Sequence, residues 1–204
     1  TDTACAVSTT LEGLIGGALH FVLLRRGSRT YDMTIDTHGI VRVSDAGIND
    51  AQTAEDVLLH IDQIVPFIEL ADLQVQKPSG LTAHHLTAIN AAARLGVMGQ
   101  PFAVEADAKN RKRLLRELEG MSVRVMDGKG RLLGRGKGSD VMGHPLRSVV
   151  WLAAALRKEG LSLQPGQWVS LGALSPMFRP RAGEKVTVAY AGLTGVRPVG
   201  VRFQ

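Results

Sequence analysis

The spacing of apolar residues changes along the chain, and that change predicts the elements. Residues 17–24 are an almost unbroken apolar run followed by turn chemistry at Arg26, Gly27 and Ser28, which predicts a buried strand. Residues 39–43 predict a second, short strand. Thr53 then stands ahead of Glu55 and Asp56, the arrangement of a helix N-cap with carboxylates in the positive first turn. Val57, Leu58, Ile61 and Ile64 continue at helical spacing, so a helix is predicted to run until Pro66 stops it. Residues 67–70 predict a short apolar strand carrying one acid, Glu69.

After a loop at 77–80, Thr82 is positioned to cap a helix through Leu86, Ile89 and Ala93 that ends near Gly96. Asp107 is positioned to cap another, with Leu114, Leu115 and Leu118 inward and Gly120 as its stop. Residues 121–126 alternate as a strand, 127–130 form a hairpin turn and 131–135 return. Pro145 suits a first helical position, with Leu146, Val149, Val150, Ala153 and Leu156 as the buried face. Three closing strands are predicted at 167–171, 185–190 and 196–203. Many strands with a few covering helices predict an α+β, mixed-β class, and 204 residues predict a single domain.

Composition narrows this picture. Glycine occurs 23 times and aromatics make up only 4% of the chain, which suits a turn-rich fold with an aliphatic core. Cys5 is the sole cysteine, so no internal disulfide can form. No apolar run reaches the roughly 18 residues of a membrane-spanning helix, so no membrane partner is expected. The net charge of +5 is carried partly by two clusters, Arg25-Arg26-Arg29 and Arg111-Lys112-Arg113-Arg116. Neither has interleaved aromatics, so nucleic acid is not expected as a partner either. A basic surface does attract small carboxylates. The expected location is the cytoplasm, with the periplasm after processing as the alternative.

The last third carries the most specific pattern. Gly136, Gly138, Ser139 and Asp140 lead to Gly143-His144-Pro145-Leu146, then Val150-Trp151-Leu152-Ala153, then Gly172-Ala173-Leu174-Ser175-Pro176-Met177. With Pro66-Phe67-Ile68-Glu69-Leu70 and Asn90-Ala91-Ala92 upstream, the order and spacing resemble the fumarylacetoacetate hydrolase superfamily. The likeness is to its 2-keto-4-pentenoate hydratase and 2-keto acid decarboxylase branch, and runs from about residue 14 to the end.

That resemblance implies a curled mixed β-sheet roll with peripheral helices and a site in its mouth. It implies a lyase of aromatic catabolism acting on small anionic 2-keto or 2-hydroxydienoic acids, a Mg²⁺ or Mn²⁺ cofactor and a homodimer. The family's additional N-terminal segment is expected to be absent here. Glu69, His20, Asn90 and His144 become the candidate catalytic residues, and Ser175 and Leu174 the candidate substrate contacts. Glu69 is expected to face a pocket with His20 and Asn90 in reach.

The family holds its cation with an acid-x-acid pair on one strand and a third acid on another. Glu69 matches the third acid. Matching Phe21-Val22-Leu23 to the apolar run beside the pair puts Gly16 and Ala18 at the ligand positions, and neither can bind a cation. Three accounts stand: a degenerate site that binds Mg²⁺ weakly, replacement by Glu12, or a displaced register. The alternative function is accordingly a non-catalytic binding or assembly protein on the same scaffold.

Overall fold

The computed structural model describes residues 7–8, 23–24, 33–72 and 80–203. Its long hairpin pairs β3 (Met33–Val43) with β4 (Ile61–Asp72), antiparallel from end to end. On the far side of β4 lie β5 (Ala93–Met98) and β6 (Phe102–Ala103), and on the far side of β3 lies β9 (Trp168–Ser170). A second sheet runs in the order β1 (Val7–Ser8), β2 (Leu23–Leu24), β11 (Val199–Phe203), β10 (Lys185–Ala191), β7 (Ser122–Asp127), β8 (Leu132–Lys137). Its pairings are antiparallel except β2 with β11, which makes it mixed. The α+β, mixed-β expectation holds.

The two sheets share one aliphatic core. Ile35, Val41, Ile64, Ile68 and Leu70 of the first meet Val123, Val125, Val186, Val188, Val199 and Val201 of the second. Alternation along each strand puts these residues on one face. Tyr190 crosses between the sheets, and its hydroxyl donates to the His38 carbonyl at 2.7 Å. Complete burial pushes that phenol above its ordinary range, so it stays a neutral donor.

Among the described residues there are four α-helices: α1 (Ala54–Val57), α2 (Ala83–Ala88), α3 (Ala108–Gly120) and α4 (Arg147–Lys158). Asp107 caps α3 by accepting from the Asn110 N–H at 2.9 Å, and Leu114 and Leu118 are buried as the pattern predicts. Val149 and Ala153 hold α4 to the core. Two glycines at the end of β8 and just after it have a steric purpose. A Cβ at Gly136 would fall 1.8 Å from the Leu174 carbonyl oxygen, and one at Gly138 would fall 1.7 Å from that of Leu118. Only glycine lets these backbones approach so closely.

Three expectations are corrected. Thr53 does cap a helix, with Asp56 answering it in a capping box, but α1 lasts only four residues. Ile61 and Ile64 belong to β4, and Pro66 lies inside that strand. Proline is tolerated there because of where its missing N–H would point. The Pro66 carbonyl accepts from Gly99 at 2.7 Å, on the side where β6 gives way to β5. Carbonyl and amide of one strand residue point to the same side, and no ladder bond is needed in that gap. The helix capped by Thr82 stops at Ala88, and Gly96 is a strand residue of β5, not a helix stop. The strand foreseen at 39–43 is eleven residues long and starts at Met33. The strand foreseen at 17–24 falls outside the described residues except for Leu23 and Leu24.

Candidate metal centre

The added length of β3 brings the site into being. Asp36 and His38 lie two residues apart, so they project from the same face of the strand. Asp36 is the direct cross-strand partner of Glu69, and His38 that of Phe67. Directly opposed residues hold their Cβ atoms about 5 Å apart, so two carboxylates and an imidazole converge. One ligand atom from each of Asp36, His38 and Glu69 lies within 4.8 Å of the others. Their side chains are only 11%, 9% and 23% exposed.

The His38 ring is held by its neighbours. Its Nδ1 lies 2.6 Å from the Ser170 hydroxyl on β9. Phe67 meets the ring edge-on, with centroids 6.4 Å apart. Gly96, opposite Glu69 on β5, leaves room for Phe67: a Cβ there would come within 2.1 Å of the Phe67 ring. The Asp36 carboxylate is fixed by the Thr37 N–H, which donates to Oδ1 at 2.8 Å and leaves Oδ2 directed at the histidine.

The other ring nitrogen is the telling atom. Nε2 stands 3.0 Å from Asp36 Oδ2 and 3.3 Å from Glu69 Oε2. Both distances are close, yet neither contact has hydrogen-bond alignment, and Nε2 is buried without a hydrogen-bond partner. Opposed like charges destabilise a strand pair, and an unsatisfied buried polar atom costs about 1–3 kcal/mol. A divalent cation among the three groups removes both penalties. Two carboxylates and a neutral imidazole supply two negative charges to match it. Nδ1–H···Oγ contact with Ser170 would leave the Nε2 lone pair free to bind, the second-shell device by which proteins orient a ligating histidine. The residues present therefore fit a cation.

The candidates named from sequence are distributed unevenly. Glu69 is in the cluster. Gly16, Ala18, His20 and Glu12 lie outside the described residues, and only the backbone of Asn90 is described, in a turn before β5. His144 is not in the cluster. It is buried at the approach to α4, where its Nδ1 accepts from the Leu146 N–H at 3.1 Å and its Nε2 donates to the Leu115 carbonyl at 3.0 Å. Both nitrogens are satisfied, and burial lowers its pKa from the ordinary value.

Ser175 is close to the site but on the wrong side of it. Its hydroxyl lies 2.7 Å from that of Thr37, which alternates with Asp36 and His38 and so projects to the opposite face of β3. Leu174 is packed in the core, while its amide donates to the Thr37 carbonyl at 2.7 Å. The segment after β9 thus braces β3 from behind.

Asp36 and His38 were missed from sequence. Two of the three accounts of the absent pair turn on Gly16, Ala18 and Glu12, outside the described residues; among the described residues, the candidate pair at period two that faces Glu69 is Asp36 and His38 on β3, as acid-x-histidine. The available signal was the Asp-x-His spacing just before the apolar residues Ile40 and Val41.

No family model matches the chain. Over 147 residues it is 31% identical to the TodF product hydratase of Pseudomonas putida strain F1, covering 72% of this chain and 51% of that protein. It is 28% identical over 141 residues to a 4-oxalocrotonate decarboxylase of Pseudomonas putida, covering 69% and 50%. The chain thus spans about half the length of the curated relatives it matches. Among solved structures, 4-oxalocrotonate decarboxylase from Pseudomonas putida G7, complexed with magnesium and adipate, has a TM-score of 0.71 at 22% identity, covering 89% of this chain and 64% of that one. Fumarylpyruvate hydrolase from Pseudomonas aeruginosa, with Mn²⁺ and pyruvate, has a TM-score of 0.63 at 12% identity, covering 90% and 71%. In sequence the chain is thus similar to 2-keto-4-pentenoate hydratases and 4-oxalocrotonate decarboxylases, and it shares the fold of the solved 4-oxalocrotonate decarboxylase and fumarylpyruvate hydrolase.

Proposed function

We propose that this chain carries the cation-binding half of a lyase site of the hydratase or decarboxylase kind, acting on small anionic 2-keto or 2-hydroxydienoic acids. The observation that carries the proposal is the buried, unpartnered His38 Nε2 between Asp36 and Glu69. Asp36, His38 and Glu69 would hold the cation. When bound, it supplies a Lewis acid for the carboxylate and adjacent carbonyl of a 2-keto acid.

The chain's own residues do the rest of the positioning. Ser170 sets the plane and tautomer of His38. Tyr190 ties the His38 backbone to the second sheet, and Thr37 N–H fixes the Asp36 carboxylate. Phe67 and the burial of the ring exclude water, which strengthens each electrostatic contact inside. The net charge of +5 favours approach of an acidic substrate. Self-association is part of the same proposal: β8 ends the order of its sheet, and Leu132 and Leu133 on it are exposed. Among the described residues no helix is long and apolar enough to cross a membrane.

The test is turnover of 2-hydroxyhexa-2,4-dienoate and of 4-oxalocrotonate, with and without added Mn²⁺, by the chain and by Glu69→Gln. Cation-dependent loss of substrate absorbance that Glu69→Gln abolishes is the expected result. Cation binding with no turnover of either acid would replace the lyase by a binding protein on the same scaffold. Absence of cation binding would remove the reading altogether.

A further inference from the structure

We infer that the Asp36–His38–Glu69 centre selects a first-row transition cation, of the Co²⁺, Ni²⁺ or Zn²⁺ kind, over Mg²⁺. This rests on the reading of the cluster as a cation site and concerns which cation it takes. The solved relatives named for their metals hold calcium, magnesium or Mn²⁺. In this chain one of the three converging ligand atoms is an imidazole nitrogen.

That nitrogen changes the preference. Mg²⁺ is hard, binds oxygen in a near-ideal octahedron and gives up water reluctantly, so it gains little from imidazole. Imidazole suits Zn²⁺, Ni²⁺, Co²⁺ and Fe²⁺, whose affinities for mixed nitrogen and oxygen sites rise along the Irving–Williams order. His38 cannot avoid the cation by turning away. Its ring is nine-tenths buried, pinned through Nδ1 to Ser170 and packed edge-on against Phe67. Nε2 is therefore held among the carboxylate oxygens whichever cation enters. A hard cation gains little from that nitrogen, whereas a borderline cation binds it directly.

The experiment uses the chelator-stripped chain, titrated calorimetrically with Mg²⁺, Mn²⁺, Co²⁺ and Zn²⁺. Labelled histidine is followed by nitrogen NMR during the Zn²⁺ titration. Zn²⁺ and Co²⁺ are expected to bind ~100-fold or more tightly than Mg²⁺, with Mn²⁺ between. Zn²⁺ should shift the Nε2 resonance of one buried histidine, and Mg²⁺ should not. His38→Glu should narrow the ratio at least ~10-fold by weakening Co²⁺ and Zn²⁺, and His38→Gln should do so if His38→Glu fails to fold. His84→Ala, which removes an exposed histidine on α2, should leave every affinity unchanged.

Equal binding of Mg²⁺ and Zn²⁺, or a ratio unmoved by either His38 variant, would overturn the selectivity and leave the cation site standing. Failure of every cation to bind would overturn both. Zn²⁺ binding lost in His84→Ala would assign the signal to surface histidines and would also overturn the inference.

Discussion

Two buried histidines in this protein have opposite surroundings. His144 and His38 are 6% and 7% exposed, so burial alone does not separate them. His144 gives Nε2–H to one backbone carbonyl and takes a backbone N–H on Nδ1, which completes its capacity. His38 completes only one side, at Ser170, and turns the other to two carboxylates with which it forms no aligned bond. The first joins α3 to the start of α4 and is a structural part. The second turns unused hydrogen-bonding capacity toward two carboxylates, where a cation would satisfy it. What distinguishes a functional buried group is unsatisfied capacity directed at complementary charge.

The contrast is broken most directly by removing charge from the open side. Asp36→Asn and Glu69→Gln are each expected to lower transition-cation affinity ~1,000-fold, about 4 kcal/mol, more than the roughly 10- to 100-fold typical of outer-shell partners. The cation-free protein should melt no earlier, because relief of the opposed carboxylates compensates for the altered contacts. Calorimetric titration and thermal unfolding of the same samples check both halves. A large loss of stability in the cation-free variants would show that the cluster is a structural network.

His144→Ala should behave in the opposite way. It removes two hydrogen bonds at a buried cap and leaves a cavity, which together cost about 3 kcal/mol of stability. Cation affinity should stay within about twofold, since His144 touches none of the three ligands. Denaturant unfolding with and without Zn²⁺ reads the two effects separately.

The same contrast explains what could be read from sequence. His144 lies in a local motif, and local signals were legible: the Asp107 cap of α3, the hairpin of β7 and β8, and the apolar stripe of α4 all stand where the pattern put them. Glu69 was legible because an acid inside the apolar run around Ile68 and Leu70 needs a reason. His38 and Asp36 were not, because what makes them a site is pairing across the sheet. Their half of β3 alternates polar residues, Thr34, Asp36 and His38, on its outward side, which masked the strand. The apolar run at 21–23 then drew the search for a pair upstream. The error at β4 has a similar origin. Val57, Ile61 and Ile64 mimic a helical stripe across a boundary where α1 ends and strand alternation begins.

Ser170→Ala sharpens the comparison at smaller amplitude. It should weaken transition-cation binding ~10-fold by freeing the His38 ring and tautomer, while Mg²⁺ affinity barely changes. A parallel loss for both cations would mean that Ser170 maintains the local backbone and does not act through the ring.

The smallest expected effect is on pH dependence, and it belongs to His144. Burial, opposed by the Leu115 carbonyl, holds its pKa below the ordinary 6.5, so the folded state keeps it neutral after the unfolded chain has begun to take up the proton. Stability rises with pH wherever the unfolded state binds more protons. The contribution of His144 is therefore fully present above about pH 6.5 and is lost as pH falls toward its folded-state value. His144→Gln removes the titration while keeping a polar side chain. The cation-free variant should start from lower stability and lose less of it between pH 7 and pH 5 than the parent does. The two slopes, taken from urea unfolding at each pH, provide the check. Carboxylates such as Asp127, held below the usual range by the Arg131 backbone and guanidinium, are common to both proteins and cancel in the difference. Equal slopes would mean that the buried imidazole can take up its proton without opening the α3–α4 junction.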